Sequence, residues 1–245
     1  MNEYGLIGFP LGHSFSKQYF TQKFEKEGIQ DCSFTLFPLE NIEQLNDLLS
    51  TQPHLKGLAV TIPYKQSVIP FLHSISNEAA EIAAVNCIEF LPEGLKGHNT
   101  DVTGFKKSFL PFLKHHHTKA LVLGTGGGSK AVQFVLTKMG IPFLLVSRFP
   151  ENDASISYLQ VNKQLLQEYT IVINTTPVGM YPNKNNCPDI PYQCITPNHF
   201  LFDLIYKPEE TKFLQMGKEK GATIKNGYQM LIIQAEENWR IWNKQ

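Results

Sequence analysis

The chain has 245 residues, enough for two modest domains or one large one, and its 42 % hydrophobic and 18 % charged residues are ordinary for a soluble globular protein. Lys+Arg and Asp+Glu both number 22, so the formal net charge is zero and no global basic field draws nucleic acid or an anionic membrane. The balance leaves room for a local basic pocket holding a small anion. Cys32, Cys87, Cys187 and Cys194 are scattered without the C-x-x-C spacing of a zinc or redox site, so reduced thiols in a cytoplasmic protein are expected. The first residues run straight into an apolar stretch without a basic start, so no signal peptide is expected. No apolar run approaches the roughly 20 residues of a membrane span.

Taken in order, residues 4–8 read as a strand and 17–27 as an amphipathic helix. Residues 33–39 read as a second strand and 42–49 as a helix with apolar residues at helical spacing. Residues 57–62 form a third strand, 65–72 and 77–83 read as helical, and 87–90 is another strand. This alternation predicts an α/β unit with a mostly parallel sheet. A second series follows: helix 103–113, strand 120–123, helix 129–139, strand 143–146, helix 159–167 and strand 170–174. Strand 200–204, helix 209–219, strand 223–224 and a final helix over 229–242 complete it. Residues 177–197 hold five of the 15 prolines and read as an irregular loop. The run His115-His116-His117 reads as a solvated helix end, because three adjacent imidazoles on a regular element do not face one point; no metal site is expected.

Gly124-Thr125-Gly126-Gly127 stands between a strand and a helix, the context that gives a glycine motif its value. Such a turn lets backbone approach a pyrophosphate, and the helix N-terminus offers free amide donors. The pattern is G-x-G-G-x-x-x-A, with Gly128 following, Ser129 in the position of the usual third glycine, and Ala131 keeping the helix small. The alternative is a tight turn without a ligand. The next strand ends Val146-Ser147-Arg148. NAD binders typically carry an acid there for the ribose hydroxyls. Arg148 instead suits a 2′-phosphate through charge-assisted bonds, which points to NADP (NADPH). A solvated arginine is the alternative.

Thr61, Lys65, Asn86 and Asp101 stand beside apolar runs, as in Gly-Leu-Ala-Val-Thr-Ile-Pro-Tyr-Lys (57–65), Ala-Val-Asn (84–86) and Asn-Thr-Asp (99–101). Polar groups at strand ends are where open α/β sheets bind ligands. A lysine ammonium, with a reference pKa of about 10.4, is protonated at neutral pH and can donate to oxygen that gains charge when a ketone accepts hydride. Each residue also has a plain reading. Lys65 could start a helix in solvent, Asp101 could cap helix 103–113, and Asn86 and Gln234 could satisfy buried backbone groups. Ser14 and Ser16, in the loop after the first strand, read on their own as a helix cap.

Taken together, the motifs resemble those of the shikimate dehydrogenase family nearly end to end. They are H-S-x-S (13–16), V-T-x-P-x-K (60–65), A-V-N (84–86), N-T-D-x-x-G (99–104), G-x-G-G (124–127), I-N-T-T-x-x-G-M (173–180), D-x-x-Y-x-P-x-x-T-x-x-L (203–214) and G-x-x-M-L-x-x-Q-A (227–235). The resemblance implies an N-terminal α/β substrate domain, residues 1–100 plus 228–245, and a C-terminal NAD(P)-binding Rossmann domain, residues 101–227. The last helix is expected to return to the first domain. The implied activity is NADPH-dependent reduction of 3-dehydroshikimate to shikimate. By position, Lys65 and Asp101 match the catalytic pair, and Ser14 and Ser16 match the ligands of the substrate carboxylate. Thr61, Asn86, Asp101 and Gln234, with Tyr206 nearby, resemble the hydroxyl-binding set. Cofactor contacts are expected from the glycine turn (Gly124, Thr125, Gly126, Gly127, Gly128, Ser129), from Ser147, Arg148, Asn174 and Thr175, and near the nicotinamide from Leu204, Gly227 and Met230.

The sequence departs from the family pattern in places. Lys17 replaces a proline, Phe20 a common histidine, and Ala59 an asparagine. After the second Rossmann strand the run Ser147-Arg148-Phe149-Pro150-Glu151-Asn152 keeps one arginine, with Lys130 a candidate second charge. Two other readings stay open: a quinate/shikimate dehydrogenase using NAD or NADP, and a non-catalytic NADP-binding regulator. A monomer or homodimer acting on a small molecule is expected, with no nucleic-acid or membrane partner.

Overall fold

The computed structural model describes residues 1–12, 14–150 and 155–243; His13, Glu151 and Asn152 of the motifs above lie outside the described residues. The chain divides into two compact units, Met1–Thr103 with Leu231–Gln245, and Gly104–Met230.

The first unit begins β1 (Asn2–Gly8), α1 (Phe15–Glu27), β2 (Cys32–Pro38), α2 (Gln44–Thr51) and β3 (Leu55–Val60). It continues β4 (Ser74–Ile75), α3 (Asn77–Ile82), β5 (Cys87–Leu91) and β6 (Gly94–His98), and α4 (Asp101–Phe109) starts at its end. Among the described residues these strands form a six-stranded sheet in the order β2-β1-β3-β5-β6-β4. It is mixed rather than mostly parallel: β5 runs antiparallel to both β3 and β6. The tight link between β5 and β6 dictates the antiparallel pairing of those two strands, since only antiparallel neighbours can be joined by two residues, here Pro92 and Glu93 between the paired Leu91 and Gly94. Neither β4 nor β6 is evident in the sequence, because Gly94, Lys96, Gly97 and His98 carry no apolar alternation.

Alternating side chains divide between two faces of the sheet. Ile7, Leu58, Val60 and Ile88 join Leu45 of α2 and Ala79 of α3 in one cluster. Tyr4, Leu6 and Ala59 join Phe20 and Phe24 of α1 in the other, with Trp239 and Trp242 packed against them. Phe20, fully buried, stacks on Phe34 at a centroid distance of 4.7 Å, so the departure from histidine supplies core packing. Lys17 has a role a proline could not fill: its backbone N–H donates to the Ser14 side chain that caps α1.

The second unit holds β7 (Ala120–Leu123), α5 (Gly127–Lys138), β8 (Phe143–Ser147), β9 (Ser155–Ser157), α6 (Lys163–Glu168) and β10 (Ile171–Asn174). Then come β11 (Phe200–Asp203), α7 (Lys212–Glu219) and β12 (Thr223–Lys225). Its described strands form a parallel sheet in the order β12-β11-β10-β7-β8-β9. The strands read as continuous apolar runs because both faces are covered. Leu121, Leu123, Val172 and Leu201 pack with Leu166 and Phe213 on one side. Phe200 and Phe202 meet the rings of Phe105 and Phe109 on the other. The last helix, α8 (Tyr228–Trp242), carries the chain back to the first unit. There Trp242 lies so close to Gly57 that a Cβ at Gly57 would sit 2.3 Å from the indole, while Trp242 Nε1 donates to Ile88 O at 3.0 Å.

Three local expectations change. Residues 65–72 form turns and a single 3-10 turn at Ile69–Phe71, because Pro70 removes a donor and clashes with the preceding turn of an α-helix. Residues 159–167 split into a 3-10 turn at Tyr158–Gln160 and α6, which Asn162 caps by accepting from Leu165 N. His117 is not solvated: it is 5 % exposed, accepts from Lys114 N at 3.0 Å through Nδ1 and places Nε2 3.1 Å from Asn198 O. All four cysteines are free thiols. No helix among the described residues is long and apolar enough to cross a membrane.

Candidate active site

In the first unit β3 ends at Val60, and the turn that follows carries Thr61 and Lys65. Tyr64, buried, pins this turn by donating its hydroxyl to Leu39 O. The main chain fixes the neighbourhood further. Thr61 N donates to Ile7 O at 3.0 Å, Val60 N to Asn86 O at 2.9 Å, and Val85 N to Lys65 O at 2.7 Å. The backbone beside Asn86 therefore ties the lysine turn to the strand ends. From it the Lys65 ammonium donates to Asp101 Oδ2 at 2.6 Å, with the two side chains 21 % and 10 % exposed. This ion pair is shielded enough to hold its geometry yet open to a ligand. Asp101 is the first residue of α4, where the helix dipole favours a carboxylate.

Asn86 is 3 % exposed and its Oδ1 accepts from Thr100 N at 2.7 Å. That commits the oxygen and leaves the Nδ2 group as the donor able to meet a ligand hydroxyl. Gln234 lies on α8 and is 8 % exposed. Ser14 caps α1 through its Oγ, accepting from Lys17 N at 3.4 Å, and Ser16 lies in the first turn of that helix. An accepting hydroxyl still carries a proton to donate, so capping and holding a carboxylate are compatible. Tyr206 belongs to the second unit, and burial pushes its phenol above the ordinary range.

The glycine turn of the second unit leaves β7 with Gly124 at φ 100°, a conformation other residues rarely adopt, and a Cβ there would lie 2.7 Å from Thr176 Cγ2. At Gly126 and Gly127 the space a Cβ would occupy is open within 4 Å. Gly126 caps α5, so bare backbone and the helix N-terminus face open space, which fits a pyrophosphate. The hydroxyl of Ser129 is turned inward, donating to Gly124 O at 2.8 Å, so this residue braces the turn. A cavity of about 620 Å³ adjoins the turn, lined among others by Thr125, Ser147, Arg148, Tyr158, Thr175 and Thr176. Ser147 Oγ accepts from Phe149 N at 3.1 Å, a local turn from whose tip the exposed Arg148 extends.

Every polar valence of the Asn174 carboxamide is engaged by the protein. Its Nδ2 donates to Asp203 Oδ1 at 3.0 Å and Val178 O at 3.3 Å, and its Oδ1 accepts from Thr176 N at 3.0 Å and Thr176 Oγ1 at 2.7 Å. Asn174 thus shapes the loop bearing Thr175 and Thr176. Leu204 and Gly227 meet closely, since a Cβ at Gly227 would lie 2.0 Å from Leu204 O. Met230 is 6 % exposed at the start of α8. Thr176 and Asp203 stand in the motifs without an assigned role, and Tyr158 stands in none; the second threonine of the Asn-Thr-Thr run is the one signal for Thr176.

Residues 6–88 match the family model of the shikimate dehydrogenase substrate binding domain. The chain is 36 % identical over 250 residues to the shikimate dehydrogenase (NADP(+)) of Aquifex aeolicus, covering 98 % of this chain and 90 % of that one. It is 35 % identical over 267 residues to that of Halothermothrix orenii, covering 97 % and 89 %. The solved shikimate 5-dehydrogenase of Thermus thermophilus, in complex with NADP(H) and shikimate, superposes with a TM-score of 0.87 at 26 % identity, covering 100 % of this chain and 94 % of that one. The parallel sheet with its glycine turn defines a dinucleotide-binding α/β protein of two units, the other unit bearing a lysine–carboxylate pair. The chain belongs to the shikimate dehydrogenase family.

Proposed function

We propose that this chain is an NADP-dependent shikimate dehydrogenase that reduces 3-dehydroshikimate to shikimate and runs the reverse oxidation. The observation that carries the proposal is the Lys65–Asp101 pair, held at 2.6 Å beside Asn86 in a chain whose full-length relatives bear that activity. The first unit serves as the substrate domain and the second as the cofactor domain. When bound, the nicotinamide cofactor supplies the hydride in reduction and accepts it in oxidation.

Lys65 donates its proton to the carbonyl oxygen as that oxygen gains negative charge, and takes a proton back from solvent. Asp101 orients the ammonium through the 2.6 Å bond and holds it in place for proton delivery. Asn86, Thr61 and Gln234 meet the substrate hydroxyls, and Ser14 and Ser16 its carboxylate. Gly124, Thr125, Gly126, Gly127 and Gly128 receive the pyrophosphate, and Arg148 the 2′-phosphate. Leu204, Gly227 and Met230 lie by the nicotinamide.

The test is a spectrophotometric assay of NADP⁺ reduction with shikimate, run beside quinate and beside NAD⁺. Turnover with shikimate and NADP⁺ above the other three combinations is expected. Faster turnover of quinate with NAD⁺, or no turnover at all, would overturn the proposal.

A further inference from the structure

We propose that Asn238 is a positioning residue for the substrate, holding Thr100 and, through it, the Asn86 carboxamide and the start of the Asp101 helix. The proposal rests on the function given above and adds a residue that none of the motifs contains.

Asn238 is 1 % exposed, and a buried carboxamide is costly unless it is hydrogen-bonded. Its Oδ1 lies 2.6 Å from Thr100 Oγ1. The same hydroxyl lies 3.2 Å from Asn86 Oδ1, but it has one proton to give, and the shorter bond to Asn238 takes it. Thr100 then meets Asn86 through its backbone N–H at 2.7 Å, which orients the Asn86 amide with its donors available. Asp101 follows Thr100 directly, so whatever fixes Thr100 also fixes the first turn of α4. Asn238 stands four residues beyond Gln234 on α8, hence on the same helical face. A single buried bond thereby aligns three chain segments that contribute Asn86, Asp101 and Gln234.

The test is a double-mutant cycle with N238A, T100V and the double variant, alongside T100S, which keeps the hydroxyl. The Michaelis constants for shikimate and NADP⁺, kcat and the thermal midpoint are measured. N238A and T100V are each expected to raise the shikimate constant about 3- to 10-fold, the size of one buried hydrogen bond, with the double variant no worse than the worse single. T100S and all NADP⁺ constants are expected to stay within about twofold of wild type, a margin well inside the effect of one such bond. A role in stability alone would lower the midpoint and leave the shikimate constant in place. That result in N238A, or additive effects in the double variant, would overturn the proposal. Should N238A fail to fold, T100V against T100S decides by the same readout: a rise in T100V alone supports it, and no rise overturns it. A wild-type chain inactive on shikimate would reject the function itself, and this inference with it.

Discussion

Asn174 and Asp203 face each other in register at the ends of adjacent parallel strands, the amide donating to Asp203 Oδ1 at 3.0 Å. Asp203 is fully buried and also accepts from Thr211 Oγ1 at 2.6 Å and Ile205 N at 3.0 Å. Burial raises its pKa from 3.8 to about 7 despite those three donors. A carboxyl raised in the folded state favours folding fully below its unfolded pKa, and that contribution is lost as pH climbs through the folded one. As pH rises from roughly 4 to 7 the wild-type thermal midpoint should therefore lose ground against that of Asp203→Asn, whatever the net trend of either protein. The slope is the readout, since the variant also loses acceptor capacity and starts lower. Equal slopes would remove Asp203 as the titrating group.

Lys65→Ala should cut kcat by about 10²- to 10⁴-fold, the usual worth of a positioned proton donor, with a modest change in the shikimate Michaelis constant. Steady-state kinetics in both directions check this. Near-normal turnover would take Lys65 out of the chemistry.

Arg148→Ala should raise the NADPH Michaelis constant about 10- to 100-fold, the scale of a charge-assisted bond to phosphate, and leave NADH nearly unchanged. Parallel titrations with the two cofactors measure it. Equal effects on both would reject the 2′-phosphate assignment.

His117 and His199 are buried imidazoles whose pKa values burial pushes below the ordinary 6.5. Each accepts a backbone N–H through Nδ1, from Lys114 and Thr196, so a proton there would break a bond. Groups lowered in this way lend stability above the unfolded pKa and lose it as pH falls. As pH falls from about 7, the wild-type urea midpoint should therefore lose ground against that of the His117→Gln/His199→Gln variant, whatever the net trend of either protein. An unchanged acid limb would assign the loss to other groups.

Much of the fold is legible because its strongest elements are locally determined. The run Ala120–Leu123, the glycine turn and the helix after it follow from apolar continuity, positive-φ demand and capping, all properties of neighbours in sequence. Strands β4 and β6 escaped because their pairing comes from a hairpin and from tertiary neighbours, and Gly94 and Gly97 give no periodic signal. The apolar pattern of residues 65–72 suggested a helix that Pro70 forbids. In the site, residue types at Lys65 and Asp101 suggested proton transfer, but their 2.6 Å separation depends on a turn and a helix start that sequence does not bring together. The carboxamide of Asn238 carries no motif at all; only its burial against Thr100 marks it.

The return of α8 to the first unit sets an order on biosynthesis. Tyr4 packs against Trp239 and Trp242 and donates to Asn243, residues synthesised long after it. The second unit is translated whole before those partners exist, whereas the first waits with an apolar sheet face uncovered until the final helix emerges. A premature stop between Lys225 and Leu231 would thus leave every strand of the second sheet in place and yet release a chain with exposed aromatics, a target for chaperones and proteases rather than a partial enzyme.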